Sequence, residues 1–197
     1  AGGPFFTSRY TDEVTHAARL AMMDLYNARR PEEIVFGQNM TSLNFSLSRA
    51  LARTWQPGDE IIVTRLDHDA NISPWLLAAE DRGVTVRWLD FDPTDCTLRL
   101  DTLPELLNDK TRLLALTYAS NAVGSISDVR RAAQLAHAVE ALLLVDSVHF
   151  APHGLIDVQA LDCDFLISSA YKYFGPHTGI LYGKYELLDG LMAYKVR

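Results

Sequence analysis

Cysteine is scarce in this chain, and that scarcity sets the first limits. Cys96 and Cys163 are the only two among 197 residues. They are too few for a disulfide framework or a four-thiolate metal site, so a reducing, cytoplasmic compartment is expected. Basic clusters are as rare. The densest are pairs such as Arg29-Arg30, and the formal charge of −7 leaves no Lys/Arg block to neutralise a nucleic-acid backbone. No apolar run approaches the length of a membrane span. The opening residues, Ala1 to Phe6, lack the charged start and long apolar stretch of a signal peptide. They also lack an initiating methionine, and a processed chain or a fragment is expected.

What remains is ordinary for a globular domain: 48% hydrophobic and 22% charged residues, enough for one full core. The pattern alternates between helical and extended stretches. Thr11 to Ala28 reads as a helix capped by Thr11, with an apolar stripe at Val14, Ala17, Ala18, Ala21, Met22 and Leu25. Strands are expected at Glu33–Gly37, Glu60–Thr64, Val84–Leu89, Leu113–Tyr118, Leu142–Val145, Phe165–Ser168 and Gly179–Tyr182. The last two are close enough in sequence to be antiparallel neighbours. Helices are expected at about 41–53, 75–82 with Gly83 as its stop, 101–107 capped by Asp101, and 128–140. Repeated βα units with apolar strands imply an α/β fold, a mostly parallel sheet covered by helices on both faces, with ligands gathering beyond the strands' C-terminal ends. Residues 1–31 read as an N-terminal segment and helix, and 32–197 as the main domain.

Several polar residues fall just after strands. Asp146 closes the apolar run Leu142–Val145, and Lys172 follows Phe165–Ser168 and precedes the turn Gly175-Pro176. A lysine amine and a carboxylate at the ends of two strands are the pair a pyridoxal phosphate enzyme needs. The amine takes the cofactor's aldehyde, and the acid holds a proton on its ring nitrogen.

The ordered motifs carry a resemblance. They are Glu60 to Val63, Asp67-His68-Asp69-Ala70-Asn71, Pro74-Trp75, Lys110 to Thr117, Ser120-Asn121, Leu144-Val145-Asp146, Asp157 to Phe165, Ser169-Ala170-Tyr171-Lys172 and Gly175-Pro176. Together they resemble the class V aminotransferase group of pyridoxal phosphate enzymes, most closely its cysteine desulfurase and selenocysteine lyase branch, from about Glu32 to Lys184. The resemblance implies the large domain of the type I pyridoxal phosphate transferase fold, truncated before a smaller C-terminal domain. It implies Lys172 as the Schiff-base lysine and later the base at the substrate's α-carbon, and Asp146 as the partner of the ring nitrogen. It further implies His68 as the stacking imidazole and proton shuttle, and Asn121 as the partner of the phenolic oxygen. Met40, Thr41 and Ser169 are implied to bind the phosphate.

Some positions depart from the family pattern. His149 stands where desulfurases usually carry glutamine, and can still donate toward the phenolic oxygen or phosphate. Tyr171 replaces a common histidine before the lysine, and its phenol is within reach of the phosphate. Asp69 replaces a second histidine. Cys96 and Cys163 read as structural, and the family's nucleophilic cysteine and substrate-carboxylate arginine lie C-terminal to this segment. The implied activity is removal of sulfur from L-cysteine or a related amino acid, in a homodimer that passes sulfur to an acceptor protein. Aminotransferase, epimerase and β-lyase chemistry stay open, as does a catalytically silent fragment keeping the fold. A nicotinamide enzyme is disfavoured, because no Gly-x-Gly-x-x-Gly turn follows an early strand. The apolar tail Leu187, Leu188, Leu191 and Met192 is expected to be exposed.

Overall fold

A computed structural model describes residues 3–192. Seven strands form one sheet in the order β1-β7-β6-β5-β4-β2-β3. They are β1 (Ile34–Gly37), β2 (Glu60–Thr64), β3 (Thr85–Leu89), β4 (Thr111–Thr117), β5 (Leu142–Asp146), β6 (Phe165–Ser169) and β7 (Gly179–Gly183). Strands β2 to β6 pair in parallel, while β7 runs antiparallel to both β6 and β1. The expected β6–β7 pairing is present. Insertion of β7 between β1 and β6 was not legible from sequence spacing.

The helices are α1 (Phe6–Tyr26), α2 (Met40–Leu51), α3 (Ser73–Arg82), α4 (Leu103–Leu106), α5 (Val129–His137), α6 (Val158–Leu161) and α7 (Tyr185–Gly190). Side chains alternate across the pleat, so each strand feeds two cores. Ile62, Leu114, Leu116, Leu143, Val145 and Leu166 pack with the buried alanines of α5, Ala132, Ala133 and Ala136. Ile61, Val63, Leu113, Ala115, Leu144, Phe165 and Ile167 pack with Leu43, Leu47 and Leu51 of α2 and Trp75 of α3. A sheet buried on both faces needs the continuous apolar runs seen in β4 and β5.

Several local expectations are corrected. Helix α1 starts at Phe6 with Phe5 as its cap residue, so Thr11 lies inside it and bonds its hydroxyl back to Thr7 O at 2.9 Å. Its expected apolar stripe is mostly exposed, and of its residues Met22 alone is partly buried against the core. Val14 is 52% and Leu25 42% exposed, and Tyr26 is the helix's one buried residue. An amphipathic pattern reports a face available for burial, and only the tertiary structure decides whether anything covers it. Asp101 does not cap α4. The cap position belongs to Thr102, with no side-chain bond. In the tail, Leu187, Leu188 and Leu191 pack against the core, and only Met192 is strongly exposed. Asp128, by contrast, caps α5 through Arg131 N at 3.0 Å, and Gly83 closes α3 at φ 66°.

Candidate active site

The C-terminal ends of the parallel strands open into a cavity of about 530 Å³. Each wall comes from a different strand end. After β1, Asn39 begins α2, its side chain accepting from Ser42 N at 2.8 Å. This cap satisfies the Ser42 N–H and fixes the helix start beside the cavity. Met40, Thr41, Ser42 and Phe45 follow on the same wall. The loop after β2 brings His68, β5 ends in Asp146, and the loop beyond it adds Val148 and His149. The end of β6 supplies Ser169, Tyr171 and Lys172. Eight of the nine sequence candidates therefore share one cavity. Asn121 does not. It is exposed and lines a neighbouring space with His153 and Phe150, which meets the first at His149.

The polar groups are held in defined states. Asp146 is 3% exposed, and its Oδ1 accepts from Val148 N at 2.9 Å. The other oxygen has no donor among the described residues. Burial pushes the carboxyl up to about 6, against the lowering by that backbone N–H. A buried acid at the cavity floor with one oxygen unengaged is a receptor for an N–H donor. His68 accepts from Ala70 N at 3.0 Å through Nδ1, which puts the ring proton on Nε2. His149 is held below the usual imidazole range by burial first, and then by the nearby Lys172 and the imidazoles of His68 and His153.

Lys172 sits in a 3₁₀ turn, Ala170–Tyr173, at the mouth of the cavity. The turn is tied down from below. Tyr26 Oη lies 2.5 Å from Ser168 Oγ, and Tyr173 Oη lies 3.1 Å from the same hydroxyl. From the far side, Ala170 N donates to Thr178 O and Gly175 N to Ala170 O, both at 2.9 Å. The two implied phosphate donors Met40 and Ser169 meet each other, Met40 N donating to Ser169 Oγ at 3.1 Å. The serine's own proton stays free to donate. Gly179 allows this closure. A Cβ there would stand 2.3 Å from the carbonyl carbon of Asn39, so no larger residue brings β7 this close to the start of α2.

The structure adds contributors to which the sequence assigned no role of their own. Asp67 lies behind His68, its Oδ2 accepting from the Thr64 hydroxyl and from Thr117 N at 3.0 Å, and its Oδ1 from Asn71 Nδ2 at 2.6 Å. Burial pushes its carboxyl up to about 7 in spite of these donors. Asn71 in turn accepts from Asn44 of α2 at 3.0 Å and Trp75 of α3 at 3.2 Å, fixing the His68 loop between both helices. Asn39 could have been found by cap propensity alone. His177 lines the cavity, its ring stacked on Tyr171 with centroids 4.8 Å apart, and no sequence signal marked it.

No cysteine or arginine lines this cavity among the described residues. Cys163 is fully buried, and burial holds its thiol far above the ordinary range. That is the state of a packing group, not of a nucleophile.

The sheet order and this strand-end site define the large domain of the type I pyridoxal phosphate transferase fold. The chain matches the aminotransferase class-V family over residues 6–196. It is 42% identical over 181 residues to a cysteine desulfurase of Pectobacterium carotovorum, covering 91% of this chain and 44% of that one. It is 40% identical to the aminotransferase-like protein FGM3 of Gibberella zeae, covering 92% and 45%. The crystal structure of the Escherichia coli cysteine desulfurase CsdA superposes with a TM-score of 0.87 at 35% identity, covering 97% of this chain and 48% of that one. This chain belongs to the class-V aminotransferase family, whose members are pyridoxal phosphate enzymes. It spans about half the length of the relatives it matches.

Proposed function

We propose that the protein is a cysteine desulfurase-like pyridoxal phosphate enzyme in which Lys172 carries the cofactor and the substrate is L-cysteine or a related amino acid. The observation that carries this reading is the convergence on one cavity of Asp146, with its unengaged oxygen, and Lys172, whose amine has no hydrogen-bond or ion-pair partner among the described residues. The residues present suit the cofactor: a buried acid for a ring N–H, an imidazole for a ring face, and a capped helix start with hydroxyls for a phosphate. When bound, pyridoxal phosphate supplies an aldehyde for covalent attachment and a ring that withdraws electrons from the substrate's α-carbon.

The chain's own residues do the rest. Asp146 accepts the ring N–H and keeps the proton there, and His68 packs against the ring face. Thr41, Ser169 and Tyr171 hold the phosphate, and Met40, whose N–H is bonded to Ser169 Oγ at 3.1 Å, orients that serine. Asn121 and His149 serve the phenolic oxygen, which requires the Asn121 loop to turn toward His149 from its present position. Lys172 Nζ moves the proton at the substrate's α-carbon. The thiol that attacks substrate sulfur and the arginine that fixes the substrate carboxylate are not among the residues matched to the family, so residues 1–197 alone desulfurate cysteine poorly. The full-length protein is read as a homodimer in the cytoplasm that delivers sulfur to an acceptor protein. No helix among the described residues is long and apolar enough to cross a membrane.

The test is borohydride reduction of the protein with pyridoxal phosphate, followed by peptide mapping. The adduct is expected on Lys172 and is lost in Lys172→Ala. A label on another lysine, or none, overturns the reading.

A further inference from the structure

Resting on that reading, we propose that His177 is an additional phosphate-binding residue, supplying from the loop before β7 the imidazole that the position before Lys172 lacks. Three independent features place it. First, strand order sets the two ends of the cavity apart. Asp146 and Val148 lie at the end of β5, whereas Asn39 to Ser42 and His177 lie beside β1 and β7, beyond β6. His177 is therefore at the helix-start end, where the helix dipole and the Thr41 N–H, which has no partner among the described residues, favour an anion.

Second, the backbone holds it there. Gly179, two residues on, presses against the backbone of Asn39, the cap of α2. Imidazole Nδ1 of His177 lies 3.2 Å from Gln38 O, one residue before that cap. A carbonyl can only accept, so Nδ1 carries a proton and donates. Nε2 is left without a protein partner among the described residues. Nε2 is the ring nitrogen left to meet a phosphate oxygen, to which an imidazole N–H donates.

Third, the ring is oriented. It stacks on Tyr171 with centroids 4.8 Å apart and planes 3° from parallel. Lys172 Nζ stands 5.4 Å from the centroid of the same tyrosine ring. Phenol, imidazole and amine thus form one wall, and no carboxylate besides Asp146 lines the cavity among the described residues.

The experiment compares pyridoxal phosphate with pyridoxal, which has the same ring and aldehyde but no phosphate. Affinities are measured by absorbance and fluorescence titration for the unsubstituted chain, His177→Ala and His177→Gln. The alanine variant is expected to bind pyridoxal phosphate about tenfold more weakly while changing pyridoxal binding less than about twofold. The glutamine variant, which keeps an N–H donor, loses less and serves as the measure should alanine perturb folding. Equal weakening of both ligands, or no change in either, overturns the assignment. The second outcome also covers a histidine that serves a substrate carboxylate instead. Selective weakening in His177→Ala alongside an adduct on Lys172 supports both readings. An adduct on Lys172 without selective weakening removes only this one, and failure of the unsubstituted chain to bind pyridoxal phosphate removes both.

Discussion

The two edges of the sheet treat buried carboxylates in opposite ways. At the C-terminal edge, Asp146 and Asp67 are pushed up to about 6 and about 7, because burial outweighs the donors around them. At the N-terminal edge the acids are matched with cations. Asp59 meets Arg112 at 2.8 Å, and Glu60 is bonded by Arg87 and by Asn108 Nδ2 at 2.7 Å. Both carboxyls are held below their ordinary range, first by those arginine hydrogen bonds. Asp164 is shared among Lys184 Nζ at 2.8 Å, His137 Nε2 at 2.8 Å and Leu143 N at 2.7 Å. One edge is satisfied within the chain and holds the sheet together. The other leaves one oxygen of Asp146 in reserve, which is what a binding site requires and what stability alone would not select.

The largest expected effect in breaking this comparison is at the satisfied edge. Asp164→Ala strips a buried acid from Lys184, His137 and the start of β5 at once. A loss of about 3 kcal/mol is expected from urea unfolding. A loss below ~1 kcal/mol would show that Asp162, 2.9 Å from Lys184 Nζ, takes over the network.

At the site edge the sign reverses. A carboxyl raised from 3.8 to about 6 is costly when ionised, so it lowers stability as pH rises through that interval. Asp146→Asn is therefore expected to stabilise the cofactor-free protein by about 2 to 3 kcal/mol at pH 8 and to be neutral below about pH 4. The same variant is expected to weaken cofactor binding and shift its absorbance. Destabilisation at pH 8 would show that Asp146 has an internal partner after all.

The smallest effect sharpens the contrast. Asp59 contributes stability above the normal carboxylate range and loses it as pH falls through its depressed value. Because Arg112 is partly exposed, Arg112→Ala is expected to cost about 1 kcal/mol at pH 7 in low salt, less in high salt, and nothing in strong acid. Thermal unfolding across pH and salt measures it. A cost independent of both would point to packing of the arginine stem instead.

Much of this was legible because it is written locally. The run Glu60–Thr64 gives β2 with the same limits, and Gly83 stops α3, since extended apolar runs and left-handed caps are short-range properties. The sequence drew Lys172, Asp146, His68, Met40, Thr41, His149, Ser169, Tyr171 and Asn121 into one set, and all but Asn121 share one cavity. Helix α1 was readable as a helix but not as an exposed one, because periodicity describes a face and not its neighbour. His177 was unreadable for a related reason. Its place depends on β7 running backwards between β1 and β6 and pressing Gly179 onto Asn39, contacts between residues 140 positions apart.

The sequence by itself determined the strands, most of the helices, and the amine and acid expected to serve a cofactor, because each is set by side-chain periodicity or by chemistry at a strand end. Only the tertiary structure decided which donors were already spent. Met40 N–H is engaged by Ser169, one oxygen of Asp146 is left waiting, and Asn121 is turned aside into a second space. A hydrogen bond is made or left open by the meeting of distant strand ends. That meeting is fixed by packing two cores around one sheet, and no stretch of sequence around any one of these residues contains it.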